Sequence, residues 1–153
     1  MLETYLYFSA TKMNDMKKLF LAAACLYFLP LFIHAQGKDY KVVFDITSQD
    51  TADQQKVLRW AAAIAKDYPE SQVEIVFYGR SLDLVTKNKS VNEPTVAKLA
   101  ASKNVTFSVC QVAMKKHNVE AANLIPGVTT VPDGIYEIVK KEQAGWGYIK
   151  VTD

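Results

Sequence analysis

Cys110 is the side chain in this sequence best placed to do chemistry. The 153-residue chain has two cysteines. Cys25 falls inside an apolar run near the N-terminus. Cys110 ends the β-rich stretch VTFSVC and directly precedes the helix-like QVAMKK. A thiolate is a nucleophile that exchanges sulfur with disulfides and persulfides. Unpaired backbone N–H groups at the start of a following helix favour an anion. A buried cysteine can equally be a small hydrophobe, and the position at a strand end leaves the two readings in balance.

Other chemistries lack their residues. His117, seven positions after Cys110, would lie ~10 Å away along a helix. That is beyond hydrogen-bond reach of the thiol, and it reads as an exposed residue at a helix end. After the N-terminal apolar segment only one cysteine and one histidine remain, which fall short of a metal site, so no metal or cofactor is expected. There is no P-loop and no glycine-rich dinucleotide fingerprint. The loop after the first strand, TSQDTADQ, lacks the Ser/Thr/Gly richness of a flavodoxin-type flavin site. A formal net charge of +2 is too small to argue for nucleic acid or an anionic membrane surface. Lys115 and Lys116 form a solvated face or steer an anion.

The elements that must position Cys110 alternate. KVVFDI reads as a strand apolar on both faces, as in a parallel sheet. Thr51 and Gln54 fit a capping box. A helical stripe follows at Val57, Leu58, Ala61, Ile64, Ala65 and Tyr68 and ends at Pro69, with Trp60 off the stripe. QVEIVFYG is a second strand, RSLDLVTKN a short helix or ordered loop, and the segment from Ser90 to Pro94 a helix start. NVTFSVC is the third strand. Pro126 and Gly127 make a turn before a short fourth strand from about Val128. Pro132 suits the first turn of a helix with a stripe at Ile135, Ile138 and Val139, and YIKV closes as a fifth strand. This alternation predicts one α/β domain with a mostly parallel five-stranded sheet and helices on both faces. Ligands of such sheets bind outside the carboxyl ends of the strands. Thr47, Ser48, Tyr78, Gly79, Gln111, Pro132, Asp133 and Gly134 collect there with Cys110 and are the candidate substrate-binding residues.

The N-terminus reads as a targeting segment. MKKLFLAAACLYFLPLFIHAQG, residues 16–37, has a basic head, an apolar run over 19–33, and Ala35 before polar Gln36. This is a secretory signal pattern, and the run is shorter than the ~20 residues of a spanning helix. Residues 1–35 are therefore assigned to the signal, with translation starting at Met13 or Met16 as a variant, and residues 36–153 to the exported domain. A periplasmic or otherwise exported location without a stable membrane anchor follows. Cys25 leaves with the signal, and Cys110 is left as a lone thiol in an oxidising space.

The combined order of segments resembles the DsrE/DsrF-like family of small sulfur-handling proteins, from about Lys41 to Val151. IVFYG is similar to the family's second strand. FSVCQVAMKK resembles its cysteine segment, and LIPGVTTVPDGIYEIVKKEQAGWGYIKV its closing segment, notably Pro126, Gly127, Val131, Pro132, Gly134, Gln143, Gly145 and Trp146. The resemblance implies a three-layer α/β/α sandwich, trimer or hexamer assembly, and a persulfide on Cys110 passed between a sulfur donor and an acceptor, whether protein or small thiol. A non-catalytic oligomeric binding module with a structural cysteine is the alternative. N-terminal sequencing of the exported protein is expected to begin near Gln36. An intact segment 16–35 recovered from membranes would instead mean an anchor.

Overall fold

Five strands carry alternating faces through the centre of the molecule. The structure, a computed structural model, describes residues 40–152. The signal segment assigned above lies outside them. β1 (Lys41–Ile46), β2 (Gln72–Phe77), β3 (Val105–Cys110), β4 (Thr129–Val131) and β5 (Gly147–Lys150) form one sheet in the order β4-β3-β2-β1-β5. Every pairing is parallel, so the mostly parallel sheet of the sequence reading is parallel throughout. Helices α1 (Thr51–Asp67), α2 (Glu93–Ala100), α3 (Gln111–His117) and α4 (Gly134–Gln143) connect the strands. Ser81–Val85, within the segment read as a short helix or ordered loop, is a 3-10 helix.

The strand order dictates where the helices go. From β1 to β4 the chain steps each time to the adjacent strand in one direction. Val57, Leu58 and Ala61 of α1, Val96 of α2, and Ala113 and Met114 of α3 join Val42, Phe44, Ile46, Ile75, Phe77, Phe107 and Val109 in one core. The Phe77 and Phe107 rings stack at 5.7 Å. After β4 the chain returns across the sheet to the far side of β1. A right-handed crossover in that reversed direction must pass over the opposite face, and α4 does so. There Ile138 packs on Val43 and Val76 in a second, smaller core.

The α4 face is also where the strands carry their buried charges. Glu74 and Asp45 interrupt the apolar strands and are 3% exposed each. Burying an ion needs compensating charge and hydrogen bonds. Ser108 Oγ donates to Glu74 Oε1 at 2.6 Å, and Lys141 of α4 pairs with Glu74 Oε2. The same ammonium lies 4.4 Å from the centre of the Trp146 ring. Lys141 therefore fixes α4 on this face as much as the small apolar contact does.

Three local expectations shift. Asp50, not Thr51, caps α1: its side chain accepts from the Ala52 N–H at 2.6 Å, while its carbonyl accepts from the Gln54 N–H. Pro132 stands outside α4 rather than in its first turn, because Asp133 is the cap. Of the expected stripes, Ile138 is buried, but Ile135 and Val139 are exposed, as is Tyr68. Ile135 and Val139 point away from the single layer α4 contacts, and Tyr68, just past the end of α1, stacks on Tyr40 at 5.0 Å.

Candidate functional site

Cys110 is the last residue of β3 and the N-cap of α3. Its neighbour across the ladder is Val131, the last residue of β4. From these two strands the chain leaves in opposite directions, to α3 on one face and to α4 on the other. Adjacent strands with diverging exits open a crevice at their carboxyl ends, where α/β sheets bind ligands. Cys110 sits at that point. It is free, 6% exposed, and its side chain makes no capping hydrogen bond.

Gly134, the first residue of α4, presses on the thiol residue. A Cβ there would lie 3.0 Å from Cys110 Cβ, 3.1 Å from Val76 Cγ1 and 3.6 Å from Tyr78 Cδ1. Glycine thus lets the start of α4 approach β2 and β3 directly. Tyr78, half-buried, continues β2 on the same face, level with Cys110 because Phe77 pairs with Val109.

Among the sequence-derived candidates, Cys110, Tyr78 and Gly134 come together. The others have separate roles. Asp133 accepts from the Ile135 and Tyr136 N–H groups at 2.8 and 3.2 Å, so its carboxylate is engaged by its own helix. Gln111 Nε2 donates to Thr130 Oγ1 at 3.0 Å and ties α3 to β4. Ser48 Oγ accepts from the Asp50 N–H at 3.0 Å in a local turn. Thr47 packs against Gly79, with its carbonyl accepting from the Arg80 N–H at 3.1 Å. Pro132 is exposed between β4 and α4.

A carboxylate beside Tyr78 was missed in the sequence. Asp45 accepts from the Tyr148 hydroxyl at 2.7 Å through Oδ2, with Lys150 Nζ 3.5 Å from the same atom. Its Oδ1 is buried without a hydrogen-bond partner. The signal was present in KVVFDI, where an acid ends an apolar run. Its partners come from β5, whose pairing with β1 no local pattern announces. Burial and then the neighbouring Asp45 carboxylate raise the Tyr78 hydroxyl well above the usual tyrosine range. The same two causes push Tyr148 up to about 12. Among the described residues, no group of three His, Cys, Asp or Glu is placed to hold a metal ion, and no helix is long and apolar enough to cross a membrane.

A parallel α/β domain with a single cysteine at its switch point is the class that fold and site define. The DsrE/DsrF-like family model matches residues 41–151, and the chain belongs to that family. The family connects it with sulfur relay. A solved protein of unknown function from Methanobacterium thermoautotrophicum is 25% identical with a TM-score of 0.68, covering 73% of this chain and 99% of its own. A conserved protein of unknown function from Bacteroides thetaiotaomicron is 18% identical with a TM-score of 0.60, covering 73% and 95%. The ychN protein of E. coli is 12% identical with a TM-score of 0.61, covering 75% and 99%. The last two are likenesses of fold alone. No curated protein matches the chain.

The tyrosines give this face a measurable signature. Tyr78 and Tyr148 hold their protons more tightly folded than unfolded, so above the free-tyrosine value the folded state binds more protons. Their contribution to stability is complete below the free-tyrosine value of about 10 and declines as pH rises through the folded values. Phenolate absorbance is expected to show one tyrosine half-ionised near pH 12. Asp45→Asn should lower that midpoint and flatten the alkaline loss of stability. Titration of every tyrosine near the free value in the wild type would contradict the assignment.

Proposed function

We propose that the protein is a sulfur carrier, sulfurtransferase-like in its chemistry, that holds sulfur as a persulfide on Cys110. The observation that carries this reading is the position of Cys110 at the β3–β4 switch point of a DsrE/DsrF-like chain. The Cys110 thiolate attacks the outer sulfur of a donor persulfide. A new S–S bond forms on Cys110, the donor's S–S bond breaks, and the donor leaves as a thiolate. An acceptor thiolate then takes the outer sulfur by the same exchange, and Cys110 returns to a thiolate. No external oxidant or reductant is needed. Burial of the thiol residue slows stray reduction of the loaded form and favours a donor or acceptor that fits the crevice at the strand ends.

A second reading, a binding module with a structural cysteine, draws on that same 6% exposure, since an inert buried thiol would look alike. The two part in one experiment. Wild-type protein incubated with a persulfide donor should gain ~32 Da per sulfur, removable by a reducing thiol, while Cys110→Ser should gain nothing and keep its secondary structure. Unloaded wild-type protein across a range of donors would favour the binding module.

Export and self-assembly belong to the same proposal. The signal-like segment supports export. Self-assembly is supported by exposed apolar surface: Trp60, stacked on Phe44 at 6.0 Å, borders an apolar groove of about 310 Å³ with Tyr40 and Ile149. Ile135, Tyr136 and Val139 are exposed on α4. Aromatic and apolar side chains of this kind are enriched in interfaces between subunits. Light scattering at micromolar concentration is expected to give a homo-oligomer, a trimer or hexamer. A monomer would overturn the assembly.

A further inference from the structure

A recess of about 270 Å³ opens beside the carboxyl ends of β1 and β2, lined among others by Gln49, Gly79, Arg80, Asp83, Lys89 and His117. Cys110 is not part of its wall. The volume is smaller than the 300 Å³ or more of a typical small-molecule site, enough for one end of a ligand. Its charge is unbalanced. Asp83 is paired with Lys89 at 3.4 Å, so that couple is neutral. Arg80 is exposed, and its guanidinium has no hydrogen bond or ion pair among the described residues. A free guanidinium fork is the group best matched to a carboxylate, which it can bind through two parallel hydrogen bonds.

The recess and the thiol are linked by α3. Cys110 caps the start of that helix, and His117 is its last residue. Seven residues of α-helix rise ~10 Å. On the other side, Gly79 follows Tyr78, which stands level with Cys110. Arg80 is two residues past Tyr78, ~7 Å of extended chain, and neighbouring strands lie ~5 Å apart, so a ligand anchored at Arg80 reaches on the order of 10 Å to deliver sulfur to Cys110, the length of about three extended residues.

We propose that this recess binds the carboxylate of a small peptide-like thiol, and that the persulfide of such a thiol is the sulfur donor to Cys110. The donor step rests on the carrier reading above. The carboxylate site does not. Arg80 holds the anionic end, the recess takes no more than that end, and the sulfur-bearing middle of the ligand crosses the carboxyl ends of β2 and β3 past Tyr78 to the crevice. The exchange is the one already written, with the peptide thiolate as leaving group.

The test uses Cys110→Ser protein, which cannot take up sulfur, and S-methylglutathione, whose sulfur is blocked and whose carboxylates are free. Calorimetry and amide NMR should show saturable binding at one site, with shifts at Gly79, Arg80 and His117. Arg80→Ala should weaken binding about tenfold or more, as loss of a charge-assisted pair does, and Arg80→Lys should restore part of it. Esterifying the probe's carboxylates should weaken binding similarly. No saturable binding at millimolar probe, or binding indifferent to Arg80→Ala, overturns the carboxylate site. The mass gain on wild-type Cys110 reports separately. Sulfur uptake without probe binding keeps the carrier and discards this donor class. Probe binding with no uptake from glutathione persulfide keeps the carboxylate site and discards the donor role.

Discussion

The return of the chain from β4 to the far side of β1 is the constraint on which the rest of this structure depends. Four strands laid down in one direction would leave one sheet face bare. The reversal carries α4 onto that face and makes β3 and β4 diverge at their carboxyl ends. Cys110 owes its position to this divergence. Two contacts hold α4 in place, one electrostatic and one apolar. Lys141 meets a buried Glu74 that also accepts a hydrogen bond from Ser108, while the apolar cluster beneath α4 is small. Removing one partner of such a pair leaves an uncompensated buried charge, which costs on the order of 3–5 kcal/mol. The geometry around Cys110 depends on that helix, since Gly134 at its start abuts the cysteine's Cβ.

The two faces of the sheet divide the work. The face covered by α1, α2 and α3 contains nearly all the large apolar side chains and supplies most of the burial. The α4 face holds Asp45, Glu74, Ser108 and Cys110 at alternate strand positions. A polar row of this kind beneath a single helix costs stability unless every member is partnered. Asp45 Oδ1 is the member without a partner. The row lies beside Tyr78 and runs toward the thiol.

Much of the fold was legible because its signals are local. The apolar run KVVFDI appears as a strand with the expected bounds, NVTFSVC as one that starts a residue later at Val105, and Pro69 lies beyond the end of α1. The family resemblance read from the cysteine and closing segments holds over residues 41–151. Cap positions moved by a residue or two because neighbouring residues each suit a helix start: Asp50 and Thr51 as caps, or Pro132 in a first turn and Asp133 as a cap. The site was only partly legible. Cys110, Tyr78 and Gly134 were placed near the carboxyl ends of the strands, and the structure brings them together. Asp45 with Tyr148, and Glu74 with Lys141, were not legible, since each joins residues far apart in sequence through pairings that emerge only when the sheet is assembled. The exposure of Ile135 and Val139 likewise reflects what covers a helix, which periodicity alone does not report.

The central claim is that Cys110 receives sulfur and passes it on. A single-turnover transfer tests it most directly. Protein loaded from a persulfide donor carrying a heavy sulfur isotope, freed of excess donor, is mixed with an acceptor thiol and followed by mass spectrometry. The account predicts that the label appears on the acceptor as Cys110 returns to a free thiol, sulfur for sulfur. A label that never enters Cys110, or that enters and cannot be removed by any acceptor thiol, would contradict it.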